Sequence, residues 1–198
     1  LKTDKDLLDE VWTDRPALVH QPADVLKDEF NGEATASKLA RVREQMEKEE
    51  AQYHIISTLD DIAWILNVRG NDIPHVPVVL SFLVIGKENA MWFVEENALS
   101  DAVKEMAAEC GITIRPYEDV YAYAATIPEH SSVLLDKRKV NYRITNALSE
   151  TVHIVSKANP SQLMKAIKNE IELENTRKAH LLDGIAVTKF MYWLKKNV

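Results

Sequence analysis

The chain has 198 residues, 46% of them hydrophobic, a formal net charge of −7 and a single cysteine. This is enough chain to bury a full core, while the acidity argues against a general nucleic-acid binder, which needs Lys and Arg concentrated on one face. Lone Cys110 excludes an internal disulfide framework, and no apolar run reaches the roughly 20 residues of a membrane span, so a cytoplasmic globular protein without nucleic-acid or membrane partners is expected.

Leu7, Leu8, Val11 and Trp12 give residues 4–12 a one-sided helical pattern that Asp14, Arg15 and Pro16 terminate. Residues 17–33 contain Pro22, Gly32 and scattered acids without a sustained period, and read as a connecting loop. Leu39, Val42, Met46 and Glu50 fall at helical spacing, so residues 34–51 are expected to form an amphipathic helix with Lys38, Arg41, Glu44, Glu47 and Lys48 toward solvent. Residues 53–57 read as a buried strand. Thr58 then stands where a cap is needed for a helix carrying Asp60 and Asp61 in its first turn and ending near Asn67. Arg69 and Gly70 open a polar loop in which Gly70 is free to take positive φ. Pro77 starts an apolar run to Ile85 with so little alternation that both faces of the strand should be covered.

After a tight connection at residues 86–89, residues 90–94 should pair back as an antiparallel hairpin. Ser100 is placed to cap a helix over 101–109 and Gly111 to end it. Cys110 reads as a packed thiol near that helix end. Strands at 112–115, 133–135 and 151–155 alternate with helices at 118–125 and 140–149, and the basic run 136–143 reads as a solvated turn. Asn159, Pro160 and Ser161 mark a new start, with a short helix to Lys168 and a long one from Glu170 onward. The long helix has a wide apolar face that includes Leu181, Leu182, Ile185, Phe190, Tyr192 and Trp193, which calls for a partner surface outside the sheet domain. Leu1 is not Met, and the helical pattern reaches Val198 without a stop signal, so both ends read as cut. About six strands interleaved with helices, one pair of them a hairpin, predict an α/β fold with a mixed sheet flanked by helices.

The string LDDIAWILNVRGNDIPHVPV at 59–78 resembles the signature of the middle domain of three-domain aminopeptidase P, in the creatinase and prolidase superfamily. Matches at 6–16, DLLDEVWTDRP, and at 164–187, MKAIKNEIELENTRKAHLLDGIAV, extend the resemblance over almost the whole chain. It implies a creatinase-type amino-terminal domain with an RNase-H-like sheet over 35–159, preceded by a linker helix and loop over 1–34. Residues 160–198 would then be a linker and the first helix of a "pita-bread" catalytic domain. It also implies a parent enzyme that removes the first residue from peptides with proline second, with two divalent metal ions, expected to be manganese, activating a bridging water. A homo-oligomer and proline-containing peptides are the partners expected of that parent. Creatinase-like domains also occur where the peptidase chemistry has been lost, so an inactive interaction or scaffold protein is the alternative. A nuclease of RNase-H type would need clustered carboxylates at strand ends and a basic surface, neither of which is visible.

The metal ligands of that catalytic domain have no counterpart here, and no cofactor is expected for this segment. Asp60 and Asp61 are adjacent on a helix and expected to point apart, as N-terminal helix acids. The six histidines, at 20, 54, 75, 130, 153 and 180, share no metal-binding spacing. His54 and His153 are expected in the core or at a sheet edge, and His180 in packing or a hydrogen bond. Trp64 reads as core and Trp92 as a strand residue. The candidate site is therefore the loop 69–77, where Arg69, Asp72 and His75, with Asn71, surround a glycine and two prolines. Two readings stand: a substrate rim, or an Arg69 to Asp72 pair that fixes the loop and leaves His75 merely exposed.

Overall fold

The computed structural model describes residues 7–198; Asp4 to Asp6 of the expected first helix lie outside them. Six strands form one mixed sheet: β2 (Tyr53–Ile56), β4 (Ser81–Gly86), β5 (Ala90–Val94), β6 (Ile112–Arg115), β7 (Ser132–Leu135) and β8 (His153–Ser156), in the order β6-β5-β4-β2-β7-β8. β2 to β4 and β4 to β5 are antiparallel; β5 to β6, β2 to β7 and β7 to β8 are parallel. The expected hairpin is β4 to β5, and its Gly86 N–H donates to Asn89 O at 2.9 Å.

The strand runs are apolar throughout because both faces are covered, yet the period of two still sorts them. Leu83, Ile85, Trp92, Val94 and Leu134 point to one face, against α3 (Thr35–Lys48), α4 (Leu59–Leu66) and α5 (Asp101–Glu109). Phe82, Val84, Phe93, Val133 and Leu135 point to the other, against α6 (Asp119–Ala125) and α7 (Tyr142–Ala147). Ser100 caps α5 by accepting from Val103 N, and Asn141 caps α7 by accepting from Ile144 N.

Four local expectations are corrected. The segment 17–33 contains α2 (Asp28–Asn31) and the short strand β1 (Asp24–Val25), which pairs antiparallel with β3 (Val68–Arg69). Its order comes from outside partners, for Ala23 N–H donates to Ala98 O at 2.8 Å and Leu26 N–H to Asn67 O at 2.6 Å, so no internal period was needed. The Pro77 run becomes a strand only at Ser81; Val78 and Val79 are buried but off the ladder. Gly70 does not take positive φ; a Cβ there would sit 2.8 Å from Val79 Cγ2, so close packing is what requires glycine. Lys38 is buried rather than solvated.

α1 (Leu7–Val11) precedes this body, and α8 (Pro160–Ala166) and α9 (Glu170–Asn197) follow it. α8 packs on α4 and α3. α9 starts with a capping box between Asn169 and Glu172, docks on α2 through its first turns, and then leaves Leu181, Leu182, Phe190 and Trp193 exposed. His180 is exposed on this helix.

Candidate functional site

α4 is the element around which the polar groups gather, and both of its ends are held by side chains from elsewhere in the chain. At its start, Thr58 occupies the cap position, but its hydroxyl donates to the Asp61 carboxylate instead of accepting a backbone N–H. Asp61 is fully buried and also accepts from Asn159 Nδ2 at 3.0 Å and from Lys165 Nζ at 2.7 Å. Burial by itself raises the Asp61 pKa, yet the hydrogen bonds from Asn159, Lys165 and Thr58 outweigh it and hold the carboxyl below its ordinary value. Lys165 bonds Asp60 as well, so the two acids expected to diverge converge on one ammonium.

At the other end, Asn67 takes the left-handed conformation at φ 53° that closes a helix. The last carbonyls of α4 are then bonded one by one: Ala63 O accepts from Arg69 at 2.7 Å, Trp64 O from Lys38 Nζ at 3.0 Å and Leu66 O from Thr35 Oγ1 at 3.0 Å. These carbonyls lie at the helix end, where backbone donors run short; the Asn67 N–H is shared between Ala63 O and Trp64 O, and the end recruits a buried cation. Burial pushes the Lys38 pKa down to about 8, opposed by the nearby Glu172 and Glu33 carboxylates.

The loop that follows is built from its own polar residues, but not by their pairing. Arg69 bonds backward to Ala63 O and Val68 O, and no ion pair joins it to Asp72. Asp72 turns inward with its carboxylate covered, accepting from Gln21 N at 2.6 Å and Leu80 N at 2.7 Å, with His20 Nδ1 at 3.7 Å. It thereby ties two distant segments to the loop. Between these anchors Val76 N–H donates to Ile73 O at 3.0 Å, closing a turn with Pro74 second and His75 third. His75 has φ 66°, the sign a type II turn demands at that position, and is exposed at the tip. The structure thus places Arg69 and Asp72 in the loop's foundations and His75 at its surface, with no hydrogen bond or ion pair between any two of the three.

Among the described residues, no group of three or more His, Cys, Asp or Glu side chains could hold a metal ion. The donor set of a two-metal centre does not fit these residues. His54 is fully buried, with Nδ1–H donating to Leu134 O at 2.9 Å and burial pushing its pKa down to about 4, so it is a neutral core residue. His153 lies exposed on the edge strand β8. Trp64 and Trp92 are both buried. Cys110 is half-buried, and burial raises its thiol pKa, the state of a packed thiol rather than a nucleophile. Within the basic run, Asp136 is buried and grips Arg138 through both carboxylate oxygens, a turn staple with a solvated outer side.

Reasoning from sequence missed Lys38, Asp61 and Lys165 as a set. The available signal was a charged residue on an otherwise apolar helical face, at Lys38 between Thr35, Leu39 and Val42, and at Asp61 beside Ile62 and Ile65.

Comparison with known proteins agrees with this architecture. Residues 14–172 match the model of the creatinase/prolidase N-terminal domain. A Neurospora crassa protein named a probable Xaa-Pro aminopeptidase P is 35% identical over 98% of this chain and 30% of its own length, and Xaa-Pro aminopeptidase 1 of Dictyostelium discoideum is 35% identical over 87% of this chain and 27% of its own. The crystal structure of X-prolyl aminopeptidase from Caenorhabditis elegans, described as a cytosolic enzyme with a di-nuclear active site, superposes with a TM-score of 0.87 at 30% identity, over 97% of this chain and 32% of that one. The chain spans about a third of the length of these relatives. With its six-stranded mixed sheet, its matched span and its near-complete superposition, the chain belongs to the creatinase/prolidase N-terminal domain family.

Proposed function

We propose that this chain is the non-catalytic creatinase-type part of a metal-dependent Xaa-Pro aminopeptidase, and that it shapes the substrate entrance and the packing of the catalytic domain. The observation that carries this reading is the 35% identity to an Xaa-Pro aminopeptidase P over 98% of the chain. In the parent protein the substrates are peptides with proline second, the two metal ions are manganese, the subunits form a homo-oligomer, and the compartment is the cytoplasm. We divide the chain at 1–34, a linker helix and loop, 35–159, the sheet domain, and 160–198, the link to the catalytic domain. The hydrogen bonds of Lys165 to Asp61 and of Trp64 to Glu172 across the last boundary support a rigid rather than a flexible link.

The loop 69–77 forms part of the entrance rim, with Arg69 and Asp72 fixing its base and His75 offered to the peptide. Preorganisation supports this, since a loop anchored by a helix end and a covered carboxylate loses little freedom on binding. The test is hydrolysis of a Xaa-Pro dipeptide with added manganese. The 198-residue chain should show no turnover, and a protein extended through the catalytic domain should show it. Turnover by the purified 198-residue chain would overturn the reading.

A further inference from the structure

The buried Lys38 is bonded to a carbonyl and an amide oxygen, Trp64 O at 3.0 Å and Asn67 Oδ1 at 2.6 Å, and to no carboxylate. Its ammonium lies 4.3 Å from the centroid of the Trp64 ring. The far edge of that indole donates Nε1–H to Glu172 Oε1 at 3.2 Å. A cation on the ring face draws electron density from the indole and makes its N–H a better donor, while the carboxylate at the edge balances the buried positive charge across the ring. Glu172 is the third residue of α9 and the second half of its capping box, since its Oε2 accepts from Asn169 N at 3.0 Å and its own N–H donates to Asn169 Oδ1 at 2.9 Å.

The rest of the helix start is seated by backbone carbonyls of α2. Asn169 Nδ2 donates to Asn31 O and Asn175 Nδ2 to Glu29 O, both at 2.8 Å. A side chain at Gly32 would meet Asn169 Oδ1 at 2.7 Å and Ile171 Cβ at 2.9 Å, so the left-handed glycine that ends α2 also lets α9 approach. The Asn175 contact is exposed and the Asn169 and tryptophan contacts are half-buried; the tryptophan contact is the one that continues to the buried Lys38.

We propose that Lys38, Trp64 and Glu172 form a relay that sets the angle at which α9 leaves the sheet domain, and with it where the apolar half of α9 is presented. These are positioning residues. The relay joins α3, α4 and α9, so a change in how α3 packs on α4 is transmitted to the direction of the long helix. Arg41, 5.9 Å from the same ring, and Arg69 and Glu33 beside it are the other charges that bear on the relay.

The test uses the full chain with spin labels on cysteines replacing Lys87 and Lys189 in a Cys110→Ser background, together with hydrogen exchange of amides 173–177. Because it replaces the bicyclic indole by a single ring, Trp64→Phe removes the N–H together with part of the buried ring system that faces Lys38. It is expected to broaden the inter-label distance distribution and to speed those amides about tenfold, while the sheet amides keep wild-type protection. Glu172→Ala should do the same, and the double variant Trp64→Phe/Glu172→Ala should match Glu172→Ala alone. Lys38→Gln should give a smaller broadening of the same kind. A folded Trp64→Phe protein with the wild-type distribution overturns the relay, as does additive broadening in the double variant. A Lys38→Gln protein indistinguishable from wild type in both measurements removes Lys38 from it and overturns the proposed link to α3.

Discussion

Lys165 Nζ lies 2.7 Å from the buried Asp61 Oδ1, a contact that bridges 104 positions of sequence and closes α8 onto the start of α4. The hydrogen bonds from Lys165, Asn159 and Thr58 keep that carboxylate ionised in the core. Lys165→Met should therefore destabilise the chain by about 3 kcal/mol, because it strands a buried charge, whereas Asp61→Asn together with Lys165→Met should recover part of the loss. Urea denaturation of the wild type and the two variants checks this, and equal losses in the single and the double variant would count against the pairing.

The neutral His54 makes the fold sensitive to mild acid. Its folded pKa, about 4, lies below the ordinary 6.5, so between those values the unfolded chain takes up a proton that the folded chain refuses. Stability from this source is complete above pH 6.5 and is lost as the pH falls toward 4, by about 3 kcal/mol at most. Denaturation midpoints at pH 7 and pH 4.5 should differ less in His54→Gln than in wild type. Parallel slopes would show that the acid sensitivity lies elsewhere.

The exposed half of α9 should be adhesive. Phe190 and Trp193 stack at 6.2 Å between ring centroids with their outer faces uncovered, and Leu181 and Leu182 extend the same surface. Truncation after Ala179 should abolish self-association in sedimentation experiments and leave folding stability unchanged. Truncation after Lys168 should in addition cost roughly 1–3 kcal/mol, since the bonds of Asn169, Glu172 and Asn175 go with it. A large loss already at Ala179 would place the distal helix in this domain's own core.

For the loop, His75→Ala in the proposed parent enzyme should lower kcat/KM by about 1–3 kcal/mol of transition-state stabilisation with unchanged metal content and melting temperature. Asp72→Ala should instead destabilise the fold, because it leaves the N–H groups of Gln21 and Leu80 without their acceptor. Wild-type kinetics for His75→Ala on both short and long peptides would make the loop purely structural.

Features that depend on neighbours a few residues away could be read directly from the sequence. The Ser100 cap, Gly111 with φ 66° after α5, the hairpin across Gly86 to Asn89, the start of α8 at Pro160 and the long helix from Glu170 all arise from contacts within one turn, so residue type and spacing determine them. A mixed sheet with both faces buried was legible as a class, because strands without polar alternation can be satisfied only by helices on either side, whereas the order of the strands was not.

What tertiary structure decided is where a polar group finds its partner. Lys38 sits on a helix whose pattern sends charges to solvent, yet the open carbonyls at the end of α4, 26 positions away, draw it inward. Asp61 looks like any first-turn acid until Asn159 and Lys165 arrive from a later helix, and Asp72 looks like a loop carboxylate until Gln21 and Leu80 close over it. The segment 17–33 carries no sustained period because, apart from the single turn of α2, its backbone is ordered by hydrogen bonds to Asn67 and Ala98. Periodicity records which side of an element meets oil or water; it carries no record of a bond between groups that only the folded chain brings together.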